Sequence, residues 1–202
     1  RKQFNDSLAP AEWSFSTYVR PFKSAGASSA GAAVTAKLAD STANTVHAVE
    51  EVLWALFSGP AAYTGFTFTD QFTADTTDLN IDFSESNKST LGTAEIFFVL
   101  GNANKKVYKL TGCVVNEASL DFDIDGIATI NWSGMGSEII DDTATGIPTA
   151  TVAEALTATN NFIRNRLTTL TATATAAGNI VTAYALTLTG GSISFENNIT
   201  FL

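Results

Sequence analysis

The sequence predicts a mainly-β protein with one flanking α-helix, on three observations. Apolar and polar residues alternate over many short stretches, the period of a strand with one buried face. Threonine recurs in nearly every segment beside 14 Phe and 3 Trp, a composition that favours strands. Only one stretch, around Thr45 to Ser58, spaces its apolar residues as a helix does. With 202 residues, 45% of them hydrophobic, the chain can bury a good core.

Glu12 to Phe22 sets Trp13 and Phe15 against Ser14 and Ser16 and reads as a strand that Pro21 ends or leaves at an edge. From Ser24 to Asp40 only small residues appear, which reads as a mobile loop or arm. Thr45 to Ser58 follows as the helix, capped by Asn44 and stopped by Gly59-Pro60. Its apolar stripe is Val46, Val49, Val52, Leu53, Leu56 and Phe57, and Trp54 falls towards the polar side. Tyr63 to Asp70 and Leu79 to Phe83 alternate as half-buried strands. Ala94 to Leu100 is apolar throughout, so it is expected to be covered on both faces, and Gly101–Asn104 turns it into Lys105 to Thr111.

Tyr108 to Gly136 is the stretch around which the rest is organised. Asp125-Gly126 lies between two alternating runs and predicts a hairpin with the three-residue loop Ile124–Gly126, glycine taking the left-handed position. That register sets Phe122 opposite Ala128, Leu120 opposite Ile130 and Ala118 opposite Trp132, all apolar. Ser119, Asp121 and Asp123 then share the other face with Ile127, Thr129 and Asn131, whereas a two-residue loop would mix the faces. Ser137 to Asn161 is acidic and hydroxylated and reads as a long excursion, with one helical turn around Val152 to Leu156. Phe162 to Thr173, Ala183 to Thr189 and Ser192 to Leu202 return to strand character. Arg1 and Leu202 read as trimmed ends.

The formal charge of -9 argues against a protein that holds nucleic acid by its phosphates, since that affinity comes from clustered Lys and Arg. Cys113 has no second cysteine to pair with and reads as a small buried residue in a chain made in a reducing compartment. No apolar run approaches the roughly 18 residues of a spanning helix. Asp121-x-Asp123-x-Asp125-Gly126 begins like a calcium loop, but Trp132 stands where a bidentate glutamate is needed, and the stretch alternates like a strand. His47 is the only histidine and has no nucleophile or metal-ligand spacing around it. Gly134-Met135-Gly136 lacks the third glycine of a dinucleotide fold, and the Asn-x-Ser/Thr matches at Asn5, Asn87, Asn131 and Asn198 follow from composition. No catalytic residue, cofactor or metal is therefore expected. Arg164 and Arg166 share one strand face and read as partners for acids of a neighbouring strand or subunit. Trp54 reads either as a subunit contact or as a partly covered core residue.

Several segments together resemble the tail tube (major tail) proteins of tailed bacteriophages. They are Pro10–Glu12 through Tyr18–Phe22, His47–Trp54, Gly112–Asn116 through Ile127–Gly134, and Asn161–Leu167. The resemblance implies a β-sandwich or partial barrel with one helix and extended hairpins. Such subunits pool their strands into a ring-shaped barrel, and stacked rings conduct DNA during ejection. It implies a virion subunit assembled in the host cytoplasm, partnered by other tail proteins, as hexamers or as trimers of a duplicated chain. Residues 1–190 would form the tube domain. Because Trp13-Ser14-Phe15 is echoed at Ile193-Ser194-Phe195, residues 191–202 read as the first strand of a second copy. An acidic, hydroxylated face would let a duplex pass without sticking, which places Asp121, Asp123, Thr129 and Asn131 on the lumen. The small-residue segment and the long excursion would be arms that order on a neighbour. Two other classes compete. A surface-displayed immunoglobulin-like or adhesin module predicts a stable monomer with a closed two-sheet core. An enzyme would need convergent titratable groups, and Asp78/Asp82 and Asp121/Asp123 alternate as surface.

Overall fold

One strand of unusual length, Lys106–Asp123, runs through the whole six-stranded sheet and serves two groups of neighbours. A computed structural model describes residues 10–23, 46–48, 50–58, 72–74, 79–81, 92–101, 105–142, 147, 169–173 and 183–200. In chain order its strands are β1 Ala11–Tyr18, β2 Pro21–Lys23, β3 Val46–Ala48, β4 Phe72–Ala74, β5 Leu79–Ile81, β6 Ala94–Leu100, β7 Lys106–Asp123, β8 Thr129–Gly136, β9 Glu138–Asp142, β10 Leu170–Ala172, β11 Tyr184–Leu186 and β12 Gly190–Glu196. A single helix, α1 Glu51–Ser58, lies between β3 and β4 among the described residues. The fold is mainly β, and among the described residues its sheets are open rather than closed into a barrel.

The first half of β7 pairs antiparallel with β6 on one side and β9 on the other. Its second half lies between β8 and β12, and β1 adds to β8, giving the order β1-β8-β7-β12. The change of partners happens at two irregularities. Gly112 adopts φ 58, a left-handed conformation that costs glycine little, and a register shift between Val115 and Glu117 leaves Asn116 as a bulge against β8. A bulge bends and twists its strand, so one strand can serve two groups. Ser137 N donates to Thr111 O at 2.8 Å beside Gly112, where the chain passes from β8 into β9.

The β7–β8 register is the one the alternation predicts: Leu120 pairs with Ile130, Ala118 with Trp132, Ser119 with Asn131 and Asp121 with Thr129. Its turn differs in detail. Gly126 N donates to Asp123 O at 3.2 Å, closing a β-turn, but the positive-φ glycines among the described residues are Gly101 and Gly112, so Gly126 is not left-handed.

The apolar side of β1-β8-β7-β12 carries Trp13, Phe15, Ile130, Trp132, Val115, Ala118, Leu120 and Phe195, and α1 packs on it. Leu56 and Phe57 are buried there, each worth about 1.5–3 kcal/mol. Trp132 is 1% exposed and satisfies its Nε1 on Thr17 Oγ1 at 2.9 Å. Trp13 stacks on Phe15 with centroids 5.3 Å apart and fills the space left by the missing side chain of Gly134.

Four further expectations need correction. The helix is Glu51–Ser58, not Thr45–Ser58: Val46–Ala48 pairs with Pro21–Lys23 as a strand, and Glu50 O accepts the first helical bonds from Leu53 N and Trp54 N. Trp54 does not fall on the polar side but faces the sheet, edge-on to Trp132 at 4.8 Å and to Phe195 at 5.5 Å, as the partly covered core residue that is one of its two readings. Ala94–Leu100 is not covered on both faces, since Val99 and Leu100 are exposed. Glu138–Asp142, expected within a loop excursion, is a strand on the free edge of β7. The strand read at Tyr63 to Asp70, the small-residue segment, the turn around Val152 to Leu156, and Arg164 and Arg166 lie outside the described residues.

Candidate functional surface

Opposite α1, the sheet presents a second face made from every other residue of four strands. Strand pairing aligns it in rows: Tyr18, Thr129, Asp121 and Ser192; then Ser16, Asn131, Ser119 and Ser194; then Ser14, Ser133, Glu117 and Glu196. Glu12 and Met135 extend it at one end, and Asp123 beside Gly190 at the other. Alternation puts these side chains together because the residues between them are the ones α1 covers. Among the described residues, no Lys, Arg or His stands at these paired positions, whereas Glu12, Glu117, Asp121, Asp123 and Glu196 do; Arg20 follows Tyr18 just beyond the last pair.

A hydrogen-bond network crosses the middle row. Ser16 Oγ donates to Asn131 Oδ1 at 2.6 Å, Asn131 Nδ2 donates to Asp121 Oδ2, and Ser119 Oγ donates to Asp121 Oδ1 at 3.2 Å. One row away, Ser133 Oγ donates to Glu117 Oε2 at 3.4 Å. An open groove of about 490 Å³ borders the face at Glu12, Ser14, Asn116, Ser133 and Met135. It is polar and shallow, with no nucleophile–base pair in its lining.

Lys106 and Lys109 lie elsewhere. Lys106 is held by Asp141 across β7 and β9, which together with the charge of that carboxylate raises the ammonium pKa above its usual value. Lys109 pairs with Glu95 at 2.7 Å across β6 and β7. Burial pushes the Cys113 thiol up. The Asp121–Gly126 stretch is the end of β7 and its turn rather than a loop between helices, and its Asp121 is already engaged by Ser119 and Asn131.

Of the residues singled out from sequence, Asp121, Asp123, Thr129 and Asn131 share this face. Trp54 belongs to the opposite side and spends its ring on the core. The sequence reading did not add Glu117, Ser133, Ser192, Ser194 and Glu196 to the surface. Their signal is the alternation Ser192-x-Ser194-x-Glu196, but that β12 lies beside β7 rests on a long-range pairing that no local pattern encodes.

Both outer strands leave one edge free among the described pairings: β1 pairs only with β8, and β12 only with β7. No helix among the described residues is long and apolar enough to cross a membrane.

A family model described as phage tail tube protein matches residues 14–202. The chain is also similar to tail tube protein pb6 of Escherichia phage T5, 29% identical over 209 residues. That match covers 100% of this chain and 39% of the relative, so the chain spans about two fifths of the relative's length. A two-faced open sheet with one covering helix and a match over nearly its whole length agree, and the chain belongs to the phage tail tube protein family.

Proposed function

We propose that this chain is a structural, non-enzymatic subunit whose polar face lines the passage for double-stranded DNA in a phage tail. Copies join through the free edges of β1 and β12 into rings, and the rings stack. Unpaired edges are aggregation-prone unless covered or paired, and ring closure removes them. Six copies would close the ring, or three copies of a duplicated chain with β12 at the seam between two units. Assembly takes place in the host cytoplasm, with other tail proteins as partners.

The observation that carries the reading is the four-stranded face bearing Glu12, Glu117, Asp121, Asp123 and Glu196, with no basic residue at its paired positions among the described residues. A duplex carries about one negative charge per 1.7 Å of axis. Such a wall repels it evenly and offers no counter-charge at which it could stop.

The first test is electron microscopy of the purified protein with end-on views averaged for rotational symmetry. Rings or tubes with a central hole are expected; monodisperse small particles across salt and concentration would instead favour a surface-binding module. The lumen assignment is tested by Asp121→Lys/Asp123→Lys in phage particles. Tubes should still form and genome release should slow, whereas unchanged release removes these residues from the passage.

A further inference from the structure

Asn131 is the one side chain with N–H groups among the aligned positions of the polar face; the others are carboxylates, hydroxyls, Val114, Met135 and Gly190. Amide N–H groups are common donors to phosphate oxygens in protein–DNA contacts, and such contacts hold a duplex in position. A channel lined by free amides would therefore carry a repeating set of weak stops.

We propose that Asp121 and Ser16 clamp the Asn131 amide so that it does not grip passing phosphates, which makes the face slippery by withholding donors as well as by charge. This inference rests on the reading of the face as the DNA passage. The clamp acts from both sides. Ser16 Oγ donates to Oδ1 at 2.6 Å, fixing the amide's orientation, and Nδ2 donates to Asp121 Oδ2. Ser119 Oγ takes the other carboxylate oxygen at 3.2 Å, so Asp121 is itself held in place. Ser133 and Glu117 repeat the arrangement with a hydroxyl at 3.4 Å. A phosphate that approached the remaining N–H of Asn131 would meet the Asp121 carboxylate beside it. The hydroxyls of Ser14, Thr129, Ser192 and Ser194 are neutral donors that rotate to water.

Four variants in phage particles separate this from plain repulsion, with triggered genome release followed by a DNA-binding dye. Asp121→Ala frees the amide and removes a charge. It should slow release about tenfold, the factor given by one net hydrogen bond of ~1.4 kcal/mol. Asp121→Ala/Asn131→Ala removes the same charge together with the donor and should return release close to the parent rate. Asn131→Ala alone, which removes the clamped donor and no charge, should release no more slowly than the parent, and Glu117→Ala, which removes a charge without freeing an amide, should slow release far less than Asp121→Ala. Equal slowing in Asp121→Ala and the double variant would overturn the clamp in favour of charge alone. No slowing in either also overturns it. The lysine pair Asp121→Lys/Asp123→Lys then decides how far the failure reaches: slowing there keeps the passage where it was placed and rejects only the clamp, and no slowing rejects both. Particles are first inspected for tails of normal length, and Asp121→Val replaces the alanine if that variant does not assemble, since valine suits a strand and brings no donor.

Discussion

Asn197 should be the most damaging polar residue to lose outside the sheet itself. It follows β12, and its side-chain amide donates to Phe57 O at 2.8 Å and to Val115 O at 3.1 Å. Phe57 lies in the last turn of α1, where backbone carbonyls have no partner within the helix, and no basic residue stands in that turn to serve them. Val115 borders the bulge at Asn116, whose own carbonyl accepts from Asn197 N and whose Oδ1 accepts from Ile199 N, both at 2.8 Å. One amide thus ties the helix to the bend of β7. Asn197→Ala removes two hydrogen bonds of about 1 kcal/mol each. At roughly 2–4 °C per kcal/mol for a chain of this size, the melting temperature should fall by about 4–8 °C. Asn197→Asp keeps the shape but turns the donor into a carboxylate oxygen facing two carbonyls, so it should cost more than alanine. Thermal and urea unfolding of the purified chain, followed by circular dichroism, gives the order. An aspartate variant that melts at or above the alanine variant would show that the amide does not act as a donor here.

Three further outcomes follow from single contacts. A Cβ on Gly134 would run into the Val114 carbonyl oxygen and lie 2.5 Å from Cζ2 of Trp13, so Gly134→Ala should destabilise by at least the ~1–3 kcal/mol of an overpacked core; a variant of parental stability in urea contradicts that packing. Cys113 is 1% exposed and burial raises its thiol pKa, so alkylation should track global unfolding, and fast labelling of the folded chain at neutral pH would contradict it. Asp141 raises Lys106 above the ordinary lysine value of 10.5. A raised folded-state pKa makes the ion pair's contribution fully present below that ordinary value and lost as pH rises through the higher one. The Nζ titration seen by NMR should therefore fall back in Asp141→Asn, while stability near neutral pH shows no dependence on this group. A parental Lys106 titrating at or below the ordinary value would contradict the assignment.

What the sequence made legible was the part of the fold encoded at short range. The β7–β8 register could be read because three apolar pairs and the polar face agree on one loop length. Errors arose where one local pattern fits two structures. Val46–Ala48 continues the apolar spacing of the helix, yet its backbone pairs with Pro21–Lys23, and propensity does not arbitrate between those partners. Shortening the helix also changes which side Trp54 shows to the sheet. Glu138–Asp142 is acidic enough to read as loop, but its backbone completes the open side of β7 from Val107 to Thr111, a requirement set by the neighbour rather than by its own residues. The same gap governs the polar face. Asp121 and Asn131 were placed together from one hairpin, but the width of the surface depends on β1 and β12, whose neighbours are more than sixty residues away along the chain. Ser16 reaches Asn131 across 115 positions. The donor-poor character of the surface is therefore a property of the assembled sheet, and in the proposed ring the edges of β1 and β12 would carry it from one subunit to the next.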